Sequence, residues 1–85
     1  MSHARDVAEV VTRALVDQPD AVRVTEGEHR GVAIIEVFVA PDDLGRVIGR
    51  QGRTATAIRT LITATAERDG QRSVSVEFRD EHGSR

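Results

Sequence analysis

Between residues 44 and 66 the chain carries Arg46, Arg50, Arg53 and Arg59 and no acid, while the other eight arginines share the remainder with all fourteen carboxylates. A local charge of +4 beside −6 elsewhere is a segregated pattern, and it predicts an anionic partner even though the formal net charge is only −2. Inside that window Ile48-Gly49-Arg50-Gln51-Gly52-Arg53 sets two polar side chains between glycines. Glycine adopts positive φ and has no Cβ, so such a segment can reverse within four residues and let a ligand's backbone touch the peptide. A helix beginning at Arg53 would aim its unbonded amides and its dipole at the same point. Arg50 and Arg53 add full charges, and the chemistry expected is capture of phosphate.

Catalytic chemistry has no comparable constellation. Cysteine is absent, which excludes disulfides, thiolate metal sites and cysteine nucleophiles. His3, His29 and His82 stand in the N-terminal stretch, a turn and the C-terminal tail, with no partner at ligand or triad spacing. Asp42 and Asp43 are adjacent at a helix start, where side chains diverge, and Asp42 reads as the cap. With no nucleophile, base or metal cluster to assemble, the expectation is a binding protein that is not an enzyme and needs no cofactor or metal. All twelve basic residues are arginine. That suits forked contacts with phosphate, and the codon bias of a GC-rich genome produces the same composition.

The elements that must position this window follow from periodicity. Val7, Val10, Val11, Ala14 and Leu15 recur at helical spacing, predicting a helix over 3–17 with Ser2 as N-cap and Pro19 as the stop. Val22 and Val24 alternate with Arg23 and Thr25 to form a short edge strand. A turn at 26–31 then leads into Val32–Val39, apolar except at Glu36 and therefore a central strand. Leu44, Val47 and Ile48 mark a short helix after Pro41. Ala55, Ile58, Leu61, Ile62 and Ala66 mark a longer one, closed by Asp69-Gly70. Val74, Val76 and Phe78 alternate with polar residues in a final strand, and Phe38 and Phe78 both read as core. Two helices between the central and last strands imply a right-handed crossover and parallel pairing.

The fold expected is thus α+β, a three-stranded mixed sheet covered on one face by three helices in the order α-β-β-α-α-β. Residues 1–85 make one domain, with an ordered core over about 3–79 and a flexible tail at 80–85. The longest apolar run, Val32 to Ala40, is too short to span a bilayer, so no membrane is expected and the location expected is cytoplasmic.

The segment Leu44-Gly45-Arg46-Val47-Ile48-Gly49-Arg50-Gln51-Gly52-Arg53-Thr54 closely resembles the signature loop of KH domains. The helix-first order resembles the bacterial type II version, and the chain is similar to the small single-KH RNA-binding proteins of bacteria over roughly residues 3 to 79. That resemblance implies single-stranded RNA as partner, with the GxxG loop clamping the backbone of about four nucleotides. Carried onto this chain, Gly49, Arg50, Gln51 and Gly52 form the clamp, Ile48 lies at the groove's edge, and Arg46, Arg53 and Arg59 join the RNA-binding set. Ala55, Ile58 and the central strand near Ile34 and Glu36 would be the floor under the bases. Relatives often have lysine where Arg50 stands, which keeps the charge and replaces a point contact by a fork. Few aromatics are present to stack on bases, so modest affinity and slight sequence preference are expected. The resemblance also implies a role as RNA chaperone or ribosome-associated factor, and pairing with a second, Jag-type KH protein or with itself as a homodimer. Two other readings stand beside this one: a KH-fold dimerisation module with little RNA binding of its own, and a small phosphate-ligand binder.

Overall fold

The computed structural model describes residues 2–71 and 73–80. Helix α1 spans His3–Leu15, strands β1 and β2 span Arg23–His29 and Val32–Val39, α2 spans Leu44–Ile48, α3 spans Arg53–Arg68 and β3 spans Val74–Asp80. Single 3-10 turns at Pro19–Ala21, Pro41–Asp43 and Arg50–Gly52 join them. The sheet order is β1-β2-β3, with β1 antiparallel and β3 parallel to β2, as the crossover argument requires. Ala33, Ile35, Val37 and Val39 of β2 are buried and their alternates are half-buried, so the helices cover one face and leave the other open.

Ser2 caps α1, its Oγ accepting from the Arg5 amide at 3.1 Å. The helix is rotated from the expected setting. Ala4, Ala8 and Thr12 are buried, whereas Val10 is 68% and Leu15 41% exposed. Small residues let the helix axis come close to the sheet, and the larger valines then straddle the contact, with Val7 and Val11 packing against the core from its margin. On the solvated side the Arg5 hydrogen bond, together with the charges of Arg5 and Arg13, holds the Glu9 carboxyl below the usual carboxylate range.

The hairpin is longer than its composition suggests. β1 runs through Glu26-Gly27-Glu28 to His29, which pairs with Val32, and the turn shrinks to Arg30-Gly31. Both residues have positive φ, 54° and 82°, the geometry that suits the twist of a two-residue hairpin. At the other end of β2, Asp42 is exposed and caps nothing. Asp43 is the acid put to use, 1% exposed, accepting from the amides of Asp17 and Gln18 at 3.1 and 3.0 Å. It ties the segment after α1 to the start of α2. Phe78 belongs to the core, but Phe38 lies half-buried on the open face beneath the Arg23 guanidinium, 4.7 Å from the ring centre. Asp80 is the last residue of β3, not the start of a tail, and residues 81–85 lie outside those described.

Candidate nucleic-acid interface

The corner between α2 and α3 is built from backbone geometry that its glycines make accessible. Gly49 ends α2 with φ 77° and ψ 174°, a region essentially reserved for glycine, and its amide donates to the Gly45 carbonyl at 2.9 Å. A Cβ there would run into the Thr54 hydroxyl and lie 2.9 Å from the Thr54 backbone nitrogen. Gln51 and Gly52 then take left-handed conformations at φ 56° and 73°. The Gly52 amide closes the turn on the Gly49 carbonyl at 3.1 Å, and the Arg53 amide closes on that of Arg50. Gly52 precedes α3 and no side chain caps that helix. The Arg53 amide is thus taken, and the amides that follow it in the first turn, which in any helix lack intrahelical acceptors, carry the positive end of a sixteen-residue helix.

The four arginines of the basic window do not converge. Arg50 is exposed on the turn, with no acid paired to it among the described residues. Arg46 turns away to Asp17 at 2.8 Å and Asp43 at 3.5 Å, so its charge is largely answered within the protein. Arg53 donates to the Gln51 side chain at 3.1 Å and borders the α1 side of α3, beside Val11, Leu15 and Leu61. Arg59 lies along β3, its Nε donating to the Val76 carbonyl at 3.0 Å and its guanidinium 5.3 Å from the Phe78 ring centre.

From the corner a groove of about 390 Å³ runs between the helices and β3, lined by Leu44, Ile48, Arg59, Glu77 and Phe78. Ile48 lines it at the end next to the corner. The floor expected from sequence is elsewhere: Ala55 and Ile58 are buried in the core, and Ile34 and Glu36 belong to a strand paired on both sides, with their side chains on the open face of the sheet. Of the two edge strands, β1 and β3, it is β3 that borders α2 and α3. Reading the strand order out to its edges would have identified it. The anchoring of Arg59 to that edge has no sequence signal, since it pairs residues seventeen apart through a backbone carbonyl.

Among the described residues no group of His, Asp or Glu could hold a metal ion, and no helix is long and apolar enough to cross a membrane.

The profile of the family described as KhpA/KhpB, KH domain, matches residues 5–78. The RNA-binding protein KhpA of Aquifex aeolicus is 47% identical over 74 residues, covering 87% of this chain and 94% of that protein. KhpA of Mycobacterium bovis is 48% identical over 75 residues, 88% of this chain and 89% of that one. KhpA of Leifsonia xyli is 55% identical over 62 residues, 73% and 79% of the two chains. Among solved structures, Era in complex with MgGDPNP and nucleotides 1506–1542 of 16S ribosomal RNA superposes with a TM-score of 0.65. That match covers 91% of this chain and 29% of Era at 18% identity, a likeness of fold alone. The relatives are named as RNA-binding proteins and not as enzymes. With its α-β-β-α-α-β order, its three-stranded mixed sheet and a profile match over most of its length, the chain belongs to the KhpA/KhpB family of KH domains.

Proposed function

We propose that the protein binds single-stranded RNA by clamping its sugar-phosphate backbone on the Gly49-Arg50-Gln51-Gly52 corner, with bases resting in the groove along β3. One observation carries this reading: the uncapped start of α3, the two glycines and the unpaired Arg50 meet at one exposed point. Backbone amides at a helix start and an arginine fork are both donors to phosphate, and neither depends on sequence. Ile48 guides the chain from the corner into the groove, where Arg59 is positioned to meet a base. Arg46 and Arg53 contribute to the local field, Arg46 through a charge already paired with Asp17 and Asp43, and Arg53 with the donors that its bond to Gln51 leaves over. Binding of this kind, short and weakly selective, suits an RNA chaperone or a ribosome-associated factor acting in the cytoplasm.

Replacing Arg50 and Gln51 together by Asp places two negative charges in the clamp while leaving the core untouched. Circular dichroism is expected to stay as in the parent, and retention of a labelled RNA in a gel shift is expected to vanish. Undiminished retention by the double variant would sink the clamp and favour the dimerisation module instead.

A further observation supports association with a second KH chain, either a copy of this one or a Jag-type partner. Two adjacent apolar depressions of about 620 and 400 Å³ run between α1 and α3, both bordered by Val11, and they include Val10, Leu15 and Leu61, each more than a third exposed. Sedimentation of the purified chain at the mass of a dimer is expected, and a monomer at high concentration would leave only the heterologous partner.

A further inference from the structure

Helix α2 is too short to hold its own direction. It has five residues, well below the length at which a helix is stable alone. Its apolar contacts, with Val47 buried and Leu44 and Ile48 against the core, set how deep it lies, but hydrophobic contact is non-directional. The directional bonds come from Asp43, the residue before it. That carboxylate makes no capping bond to α2. Its two oxygens accept instead from the Asp17 and Gln18 amides at 3.1 and 3.0 Å, in the segment between α1 and Pro19. Arg46 of α2 closes the arrangement from outside, with Nη2 at 2.8 Å from Asp17 and Nε at 3.5 Å from Asp43. The far end of α2 is the corner itself. Gly49 donates to the Gly45 carbonyl at 2.9 Å and accepts from the Gly52 amide at 3.1 Å, so the corner moves as α2 moves. At about 1.5 Å per residue, the stretch from Asp43 to Gly49 is a lever of about 9 Å. A tilt of about 10° at Asp43 then carries Gly49 through about 1.5 Å, roughly half the length of a hydrogen bond.

We infer that Asp43 is a positioning residue of the RNA clamp: it sets the place of the Gly49-Arg50-Gln51-Gly52 corner by tying α2 to the segment after α1. The inference rests on the clamp reading above. Asp43 is 1% exposed and so touches no RNA itself. The sign of its effect is what sets it apart. Removing an acid from a protein that binds a polyanion ordinarily strengthens binding, because one repulsion disappears. At Asp43 the removal should weaken it, since asparagine has one oxygen where two amides converge and turns an NH2 donor against the other. Asp17 supplies the matched control. Its carboxylate is exposed and pairs with Arg46, while the bond it gives Asp43 comes from its backbone amide, which Asp17→Asn retains.

Fluorescence anisotropy with a labelled pool of random-sequence RNA decamers provides the test, in the cold, where circular dichroism verifies that each variant is folded. Asp43→Asn is expected to bind about tenfold more weakly than the parent, the effect of one charged hydrogen bond. Asp17→Asn removes the same charge and is expected to bind as tightly as the parent or about 1.5-fold more tightly. Without RNA, the amide resonances of Gly49 and Gly52 should shift in Asp43→Asn and stay in place in Asp17→Asn, a readout that a loss of stability alone leaves unmoved. Linkage supplies a measurement that needs no variant, because bonds that strengthen RNA binding are strengthened by RNA in return. Saturating RNA should therefore slow hydrogen exchange at the Asp17 and Gln18 amides of the parent by about the same tenfold factor. Binding by Asp43→Asn as tight as the parent's, or tighter, overturns the inference. An equal loss in both variants does so too, since it assigns the effect to the pairing of Arg46. Unchanged exchange at Asp17 and Gln18 also overturns it, and that result decides the matter should Asp43→Asn fail to fold. If the parent retains no RNA, or if the variant with Arg50→Asp and Gln51→Asp binds as the parent does, it is the clamp reading that falls, a failure seen before Asp43 is touched.

Discussion

At the hairpin Arg30 and Gly31 take φ of 54° and 82°, and at the corner between α2 and α3 Gln51 and Gly52 take 56° and 73°. Both turns therefore place a long polar side chain, followed by glycine, in left-handed backbone, and both have an exposed arginine at the apex, Arg30 in one and Arg50 in the other. The surroundings differ. The hairpin turn is closed on both sides by the His29 and Val32 pair of an antiparallel ladder, with Glu26 and Glu28 on the strand leading into it. The corner lies between two helices, is preceded by a third positive-φ residue at Gly49, and opens onto a helix start that no side chain caps. Left-handed geometry with an arginine is thus no mark of a phosphate site by itself. What distinguishes the corner is that its neighbouring amides have no strand to pair with and lead into the start of a long helix.

The largest expected effect separates the two turns through their glycines. Gly49→Ala forces a Cβ into a φ, ψ region closed to it and against Thr54, and it is expected to cost about 3 kcal/mol in urea melts, with RNA binding falling as the corner shifts. At the hairpin a Cβ on Gly31 meets nothing within 4 Å. Gly31→Ala should then cost only about 1 kcal/mol, the left-handed strain less the gain from a stiffer unfolded chain, and RNA binding should persist. A larger penalty at Gly31 than at Gly49 would break the contrast.

A smaller effect comes from charge. A clamp contacting two to four phosphates gives a log-log salt slope of roughly −1.5 to −3, at about −0.7 per phosphate for single strands. Arg50→Gln is expected to flatten the slope by about 0.7 and Arg30→Gln to leave it unchanged. Equal flattening by both would mean that RNA follows the field of the whole surface and that the corner is not privileged.

Much of this frame was readable beforehand, and the unreadable parts have a common cause. An apolar run broken only at Glu36 in Val32–Val39 and period-two alternation in Val74 to Phe78 located the strands, the two intervening helices implied their parallel pairing, and the paired glycines located the corner, because each is a local pattern or a handedness rule. Which residues of α1 go inward was not local. Alanines and a threonine won over valines because the distance between helix and sheet, not side-chain hydrophobicity, decided the fit. Asp43 and Arg59 escaped for a related reason. Each is fixed by backbone groups far along the chain, the amides of Asp17 and Gln18 in one case and the Val76 carbonyl in the other, and backbone atoms carry no sequence signature.

The smallest effect sharpens the comparison most, because it asks whether the two left-handed residues are held in the same way. Asparagine tolerates this conformation better than arginine or glutamine does, its short amide bonding to nearby backbone. At the hairpin nothing else depends on the residue, so Arg30→Asn should stabilise by about 0.5 kcal/mol. At the corner the Gln51 side chain accepts from Arg53 at 3.1 Å, and the shorter amide of asparagine falls short of that donor. Losing an exposed bond worth about 0.5 kcal/mol cancels the conformational gain, so Gln51→Asn is expected to be neutral. In an Arg53→Ala background there is no bond left to lose, and Gln51→Asn should then recover the gain seen at the hairpin. If it stabilises equally with and without Arg53, that side chain has no part in setting the shape of the corner, and the two turns differ only in what lies beside them.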